Sequence, residues 1–265
     1  MPLLAQGFGP LSGSSGWLLA GGRLYLTGSL GVAWDEITPE GFQVLGADFL
    51  DPENGWVAGW HTGETALFVG RTDDGGMSWR FAALDLGPGL DFYNVAAAFP
   101  EVLDDTHLWL ALKLQSGSSF SLGRLYASVD GGETWELRSH PLGEPVRFED
   151  ALLGWTLGGS AENAAYRTFD GGLNWSAVDP AAVPAHLSGA GFAFNGSLPR
   201  GAIAVSVWDN AVAWVLVQEG GCTGEKGAQV CKMTEQIWMT TDGGASWGVV
   251  PNPTAGPPDI STPEP

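Results

Sequence analysis

The chain has 265 residues, of which 40 are glycine and 13 tryptophan, a composition that suits many tight turns between apolar segments. Its 11 basic residues stand against 30 acidic ones, a net charge of −19, which argues against phosphate-rich nucleic acid and anionic membrane surfaces as partners. No apolar run is long enough to span a bilayer, so membrane insertion is not expected.

The acidic balance reads first as a highly soluble surface and second as selection for a cationic partner or for high salt. The opening Met1-Pro2 before Leu3-Leu4-Ala5 shows no basic, apolar leader. It reads as an added start on a trimmed chain, with a native leader expected upstream.

In chain order, one unit recurs. Trp17 opens the apolar run WLLAGG, RLYLTG follows, and Thr27 to Trp34 reads TGSLGVAW. Ala47–Leu50, Trp56 with WVAGW, and ALFVGRT lead to TDDGGMSW at Thr72–Trp79. Val95–Phe99, Trp109 with WLALKL, and RLYASV lead to SVDGGETW at Ser128–Trp135. Val146–Phe148, Trp155 with WTLGG, and AAYRTF lead to TFDGGLNW at Thr168–Trp175. Ile203–Trp208, Trp214 with WVLVQ, and EQIWMTT lead to TTDGGASW at Thr240–Trp247. A short segment after each octet, such as WRFAAL or WELRSH, completes the unit. Each unit reads as four antiparallel strands, with the octet as the turn between the third and fourth.

The octet has a physical logic. Asp-Gly and Gly-Gly make tight turns because glycine reaches positive φ without a Cβ clash. The Asp carboxylate accepts from nearby backbone N–H groups, and the flanking Ser/Thr residues bond across the turn. The tryptophan then offers a large apolar plate to bury. The structural residues are therefore Asp74 and Trp79, Asp130 and Trp135, Asp170 and Trp175, and Asp242 and Trp247. In the first copy Ser29 stands in the Asp position and Ala33 in the Thr position.

Spacing sets the number of units. From Ser29 through the four Asp residues the steps are 45, 56, 40 and 72. Blades of this kind take about 40–50 residues. The step of 72 is accounted for by insertions at Pro180–Gly201 and around Cys222, the first holding a candidate extra hairpin in GAGFAFNGS. An all-β propeller of five four-stranded blades over 1–250 is expected, with six as the alternative. Residues 251–265, rich in proline, read as an extended linker towards further domains or an anchor.

The octet resembles the Asp box, or BNR repeat, of sialidase-like and photosystem II assembly factor (Ycf48/HCF136)-like β-propellers. In those proteins the box is a structural turn at the blade periphery. The resemblance implies a propeller over roughly residues 10–250 and an extracytoplasmic protein: secreted, periplasmic or on the cell surface. Sialidases would bring three arginines around a carboxylate, an early F/Y-R-I-P sequence and a Tyr–Glu pair. Here Arg23, in GGRLY, is the only early arginine, and Arg71 and Arg167 precede boxes at the end away from the loop face. A non-catalytic binding or scaffolding module is expected, with a glycan-binding or glycoside hydrolase protein as the alternative.

Binding is expected on the face opposite the boxes, where loops join strands two and three and successive blades. There Trp60, His61, Asp91, Phe92, Tyr93 and His140 combine aromatic and polar groups, the composition of a surface for a protein or glycan. Asp91 and Glu144 are the carboxylates on that face that a hydrolase would recruit, and no catalytic role is assigned to either. The histidines at 61, 107, 140 and 186 lack metal-ligand spacing, and no phosphate loop or dinucleotide fingerprint occurs, so neither metal nor cofactor is expected. Cys222 and Cys231, at the ends of a glycine-containing loop, are expected to form a disulfide, which points to an oxidising compartment. Asn174 and Asn195 match the glycosylation sequon.

Overall fold

The computed structural model describes residues 5–88, 90–115, 122–158, 164–183, 198–208, 211–223 and 230–253, with residues 222, 223 and 230–232 described by backbone only. Within these residues twenty strands form five four-stranded antiparallel sheets, each built from consecutive strands. Blade 1 holds β1 (Ala5–Pro10), β2 (Gly16–Ala20), β3 (Arg23–Thr27) and β4 (Asp35–Glu36). Blade 2 holds β5 (Phe42–Phe49), β6 (Gly55–His61), β7 (Leu67–Thr72) and β8 (Arg80–Leu84). Blade 3 holds β9 (Val95–Val102), β10 (Leu108–Leu114), β11 (Leu122–Ser128) and β12 (Glu136–Arg138). Blade 4 holds β13 (Val146–Phe148), β14 (Gly154–Gly158), β15 (Ala164–Thr168) and β16 (Ser176–Val178). Blade 5 holds β17 (Ala202–Val207), β18 (Ala213–Thr223), β19 (Val230–Thr240) and β20 (Gly248–Val250). This is a five-bladed propeller; the six-bladed alternative does not occur. Two short 3-10 turns are the only helical elements among the described residues.

The five turns between third and fourth strands share one geometry. In the second blade Thr72 Oγ1 donates to Asp74 Oδ1 at 2.8 Å, and Gly76 N–H donates back to Thr72 Oγ1 at 2.8 Å. Ser78 N–H donates to the same carboxylate at 2.8 Å. The same three bonds recur around Asp130, Asp170 and Asp242. Asn174, one of the sequon residues, takes the place of the second hydroxyl and donates its amide to Asp170. Both glycines of each full box have positive φ, as Gly131 (75°) and Gly132 (93°) do. In the first blade Leu30 holds the first position at φ 58° without being glycine, and Ser29 Oγ accepts from Ala33 N–H in place of the carboxylate.

Each box is also tied to its own blade. The N–H of the first glycine donates to a carbonyl of the loop between strands one and two, from Gly75 to Glu53, Gly131 to Thr106, Gly171 to Leu152 and Gly243 to Ala211. Leu30 makes the same bond to Ser14. Box turns and strand 1–2 loops therefore lie on one face, and the remaining loops on the other.

Blades pack through the tryptophans of the second strands. Trp17, Trp56, Trp109, Trp155 and Trp214 are all buried. Trp17, Phe42, Phe49 and Val57 join blades 1 and 2. Trp56, Val69, Leu108 and Leu110 join blades 2 and 3. Trp109 stacks on Phe148 at 3.6 Å between blades 3 and 4. Trp214 packs with Leu18 and Ala20, which joins blade 5 to blade 1. Among the described residues no strand is exchanged at this closure, and side-chain packing, with bonds from Trp34 Nε1 to Pro251 O and from Ala5 N–H to Glu235, joins blades 5 and 1.

The box tryptophans depart from the expected role. Trp34, Trp79, Trp135, Trp175 and Trp247 are half-buried, not core plates. Three of them clip, through the indole N–H, the residue that follows the outer strand of the preceding blade. Trp79 donates to Ile37 O (3.2 Å), Trp175 to Ser139 O (2.9 Å) and Trp34 to Pro251 O (2.7 Å). The physical reason is position: the fourth strand is the outermost, so its first side chain meets solvent on one side. Trp135 bonds within its own turn, to Gly132 O.

Residues 116–121, 159–163, 184–197 and 224–229 lie outside the described residues, as do Asn195, the expected extra hairpin and the tail beyond residue 253. Asp130→Ala removes the acceptor for Ser128 Oγ, Thr134 N–H and Thr134 Oγ1. It is expected to lower stability by about 1–2 kcal/mol in a thermal or denaturant melt. An unchanged melt would show that the box carboxylate contributes nothing to the fold.

Candidate functional site

The strand order places residues that follow second strands, and those that join blades, on the face opposite the boxes. Trp60, near the end of β6, stacks on Phe92 with centroids 4.8 Å apart, and Phe92 meets Tyr93 at 4.0 Å. Asp91 builds the 3-10 turn that carries these rings, accepting from Tyr93 N–H at 2.9 Å while Asn94 Oδ1 accepts from Asp91 N–H at 2.8 Å. Phe92 is buried and Tyr93 is 65% exposed. Three of the six residues picked from sequence thus form one aromatic ladder that ends in solvent, and a fourth, Asp91, caps the turn that carries it.

The other two are packed elsewhere. His61 lies on the opposite face of β6 from Trp60, because side chains alternate along a strand. Its ring is edge-on to Phe42, Phe68 and Phe81 at 4.7–5.1 Å. His140, between blades 3 and 4, donates from Nε2 to Glu144 O at 3.0 Å, and its buried Nδ1 has no partner among the described residues. Burial holds this imidazole down to about 4, so it is neutral at physiological pH. Glu144 is paired with Lys113 at 2.8 Å. The two loop carboxylates, Asp91 and Glu144, are each committed to local structure.

A second site was not singled out from sequence. The inner strands β1, β5, β9, β13 and β17 surround a central channel with a cavity of about 370 Å³. Each second-strand tryptophan pairs across the ladder with the penultimate residue of its inner strand. The pairs are Gly9 with Trp17, Asp48 with Trp56, Glu101 with Trp109, Arg147 with Trp155 and Ser206 with Trp214. Those five positions form a ring near the box end of the channel. Its sequence signal is the residue eight places before each of these tryptophans.

Three ring members carry charge. Arg147 donates from Nη1 to Glu101 Oε2, and Glu101 Oε1 accepts from Phe148 N–H at 3.2 Å. Asp48 accepts from Phe49 N–H (3.0 Å) and Val102 N–H (2.9 Å). The Arg147 side chain is 57% exposed, and that exposure is to the channel. Burial first, and then the charge of Glu101, push the Asp48 carboxyl up to about 7, against the pull of Arg147 and the two N–H bonds. Burial raises Glu101 as well, while Glu101 raises Arg147 further.

These shifts set the pH dependence of stability. An unfolded Asp titrates near ~3.9, so between about 4 and 7 the folded chain holds a proton on Asp48 that the unfolded chain has lost. Asp48 therefore contributes stability that falls as pH rises through this window. His140 works the other way, since below its ordinary value the unfolded chain takes up the proton first. Asp130 and Asp242, held down to about 2 by their Thr134 and Ser246 partners, contribute stability that is lost as pH falls from about 4 towards 2. The comparison of wild type with Asp48→Asn isolates the first effect. Wild type is expected to gain in melting temperature relative to the variant as pH falls from about 8 to about 5. A constant difference across that range would contradict the assigned shift.

No family model matches the sequence. The photosystem II assembly lipoprotein Ycf48 of Synechococcus sp. (strain CC9902) is 31% identical over 138 residues, which is 50% of this chain and 36% of that protein. The chain thus spans about a third of the curated relative it matches. Among solved structures, GH43B of a Bacteroides ovatus xyloglucan locus is similar with a TM-score of 0.45 and 11% identity, over 97% of this chain and 58% of that one. The GH93 alpha-L-arabinofuranosidase of Fusarium graminearum gives 0.40 and 16%, over 77% and 65%. The GH74 xyloglucanase from Xanthomonas campestris gives 0.30 and 14%, over 94% and 48%. At such values the chemistry of these enzymes does not transfer. The strand order makes the chain a five-bladed β-propeller, and half of its length is similar in sequence to Ycf48.

Proposed function

We propose that this propeller is a non-catalytic, extracytoplasmic binding module that holds a protein partner on the face opposite its boxes. The observation that carries this reading is the ladder Trp60–Phe92–Tyr93, anchored in the core at Phe92 and open to solvent at Tyr93. Aromatic anchors of this kind supply contact energy at low entropic cost. The negative charge of the chain selects among partners for those with basic surfaces. The relative named above is itself an assembly lipoprotein, which agrees with a scaffolding role outside the cytoplasm.

A second reading is the handling of glycans. A carboxylate on the wall of the channel cavity, Asp48, with the Glu101 carboxylate acting on it, favours it. A hydrolase panel with wild type and Asp48→Asn distinguishes the readings, since turnover lost in the variant belongs to the second alone.

The double substitution Trp60→Ala and Tyr93→Ala is expected to weaken capture of a partner at least tenfold, about 1.4 kcal/mol, with the fold retained. Undiminished capture, together with its loss in Glu133→Lys on the box face, would assign the wrong face.

The compartment has its own test. β18 and β19 place Cys222 directly opposite Cys231 in the ladder. Their side chains lie outside the described residues, and the bond between them remains part of the proposal. Intact mass after non-reducing alkylation is expected to show no labelled thiol. Two labelled thiols would remove the bond and the main sequence argument for an oxidising compartment.

A further inference from the structure

The channel ring carries an imbalance of charge that its own residues do not resolve. Two carboxylates, Asp48 and Glu101, face one guanidinium, and Arg147 is bonded to Glu101. Among the described residues Asp48 accepts from two backbone N–H groups and forms no ion pair. The remaining ring positions bring no charge, because β1 offers Gly9 and β17 offers Ser206. Beside Asp48 lies the cavity of about 370 Å³, within the size range of small-molecule pockets.

The cavity is shaped on one side by a missing side chain. A Cβ at Gly9 would lie 2.9 Å from Trp17 Nε1 and 3.2 Å from Ser206 Oγ. Glycine thus keeps the wall open between Ser206 and Asp48, its neighbours around the ring. Trp208 lines the same cavity and is 47% exposed, with its backbone fixed by a 3.0 Å bond to Val212 O. A half-exposed indole and a carboxylate on the walls of one cavity make an environment for a cation, which gains both from the ring face and from the charge. A net charge of −19 draws cations to the molecule and repels anions.

We propose that the channel cavity binds a small organic cation, an ammonium or guanidinium carried on an apolar body, with Asp48 as counter-ion and Trp208 as its apolar wall. The site is separate from the aromatic ladder on the opposite face, and its failure would leave that reading untouched.

The proposal is tested by calorimetric titration of the full chain with three probes: cyclohexylammonium, cyclohexanol and a neutral pentose. Cyclohexylammonium is expected to bind at least about tenfold more tightly than either uncharged probe. Its affinity is expected to fall as pH is lowered from about 8 to about 5, because the cation requires the ionised carboxylate. Glu101 and Arg147 are the other charged groups facing Asp48 and bias its titration. Asp48→Asn is expected to lose at least about tenfold in affinity. Ser206→Leu, which fills the far wall and keeps the carboxylate, is expected to lose it too and serves if Asp48→Asn fails to fold. Equal binding of cyclohexanol or the pentose overturns the assignment, as does cation binding that survives both substitutions. So does the absence of heat from the ammonium at millimolar concentration.

Discussion

The tryptophan of each second strand is the constraint on which the rest of the molecule depends, because it acts in two directions at once. Across its own sheet it sits opposite the penultimate inner-strand residue, and so fixes which side chain reaches the channel. Towards the next blade it supplies the packing surface, and in two blades also a hydrogen bond. Trp56 Nε1 donates to Gly131 O at 2.9 Å and Trp109 Nε1 to Gly171 O at 3.2 Å, each the first glycine of the neighbouring box. Arg71, lying 5.1 Å over the Trp56 ring, donates to the same Gly131 carbonyl. A buried indole with an unmet N–H costs about 1–3 kcal/mol, so box and tryptophan must stay in register with each other. The box is thereby more than a turn within one blade: it is the receptor for the blade before it.

The first box survives its altered sequence through other contacts. Leu30 sits in the left-handed region, where a residue with a Cβ is held at a cost of about 1–2 kcal/mol. The same N–H bond to the strand 1–2 loop is kept, and Trp34 still bonds to Pro251 O and meets Trp214 edge-on at 6.1 Å. That blade closes the ring, so its turn is fixed by contacts from the last blade as well as by its own residues.

Repeated letters were legible and repeated positions were not. The boxes, the four strands of each unit and the five-blade count follow from Asp-Gly-Gly and tryptophan, which recur as the same residues. The channel ring recurs as Gly9, Asp48, Glu101, Arg147 and Ser206, five different side chains whose equivalence appears only in the register. The box tryptophans were read as core because of their size, yet a residue opening the outermost strand cannot be enclosed. The loop residues were grouped by composition, which joined Trp60 with His61, neighbours in sequence that point to opposite faces of β6. Trp60, Phe92 and Tyr93 were grouped in the same way, and their stacking appears only in the structure, where the end of β6 meets the turn before β9.

The two candidate surfaces lie at opposite ends of the same ring. The ladder presents rigid apolar groups from blades 2 and 3, and the channel presents charge from blades 2, 3 and 4. Both depend on adjacent blades keeping their register. Amide hydrogen exchange in Trp56→Phe tests that dependence directly, since this change removes the indole N–H and keeps an aromatic ring. Exchange at Gly132 and Thr134, in the box of the next blade, is expected to quicken at least about tenfold. Exchange at Gly76 and Ser78, in the box of the same blade, is expected to stay unchanged. Equal quickening in both boxes, or none in the neighbouring one, would contradict the account.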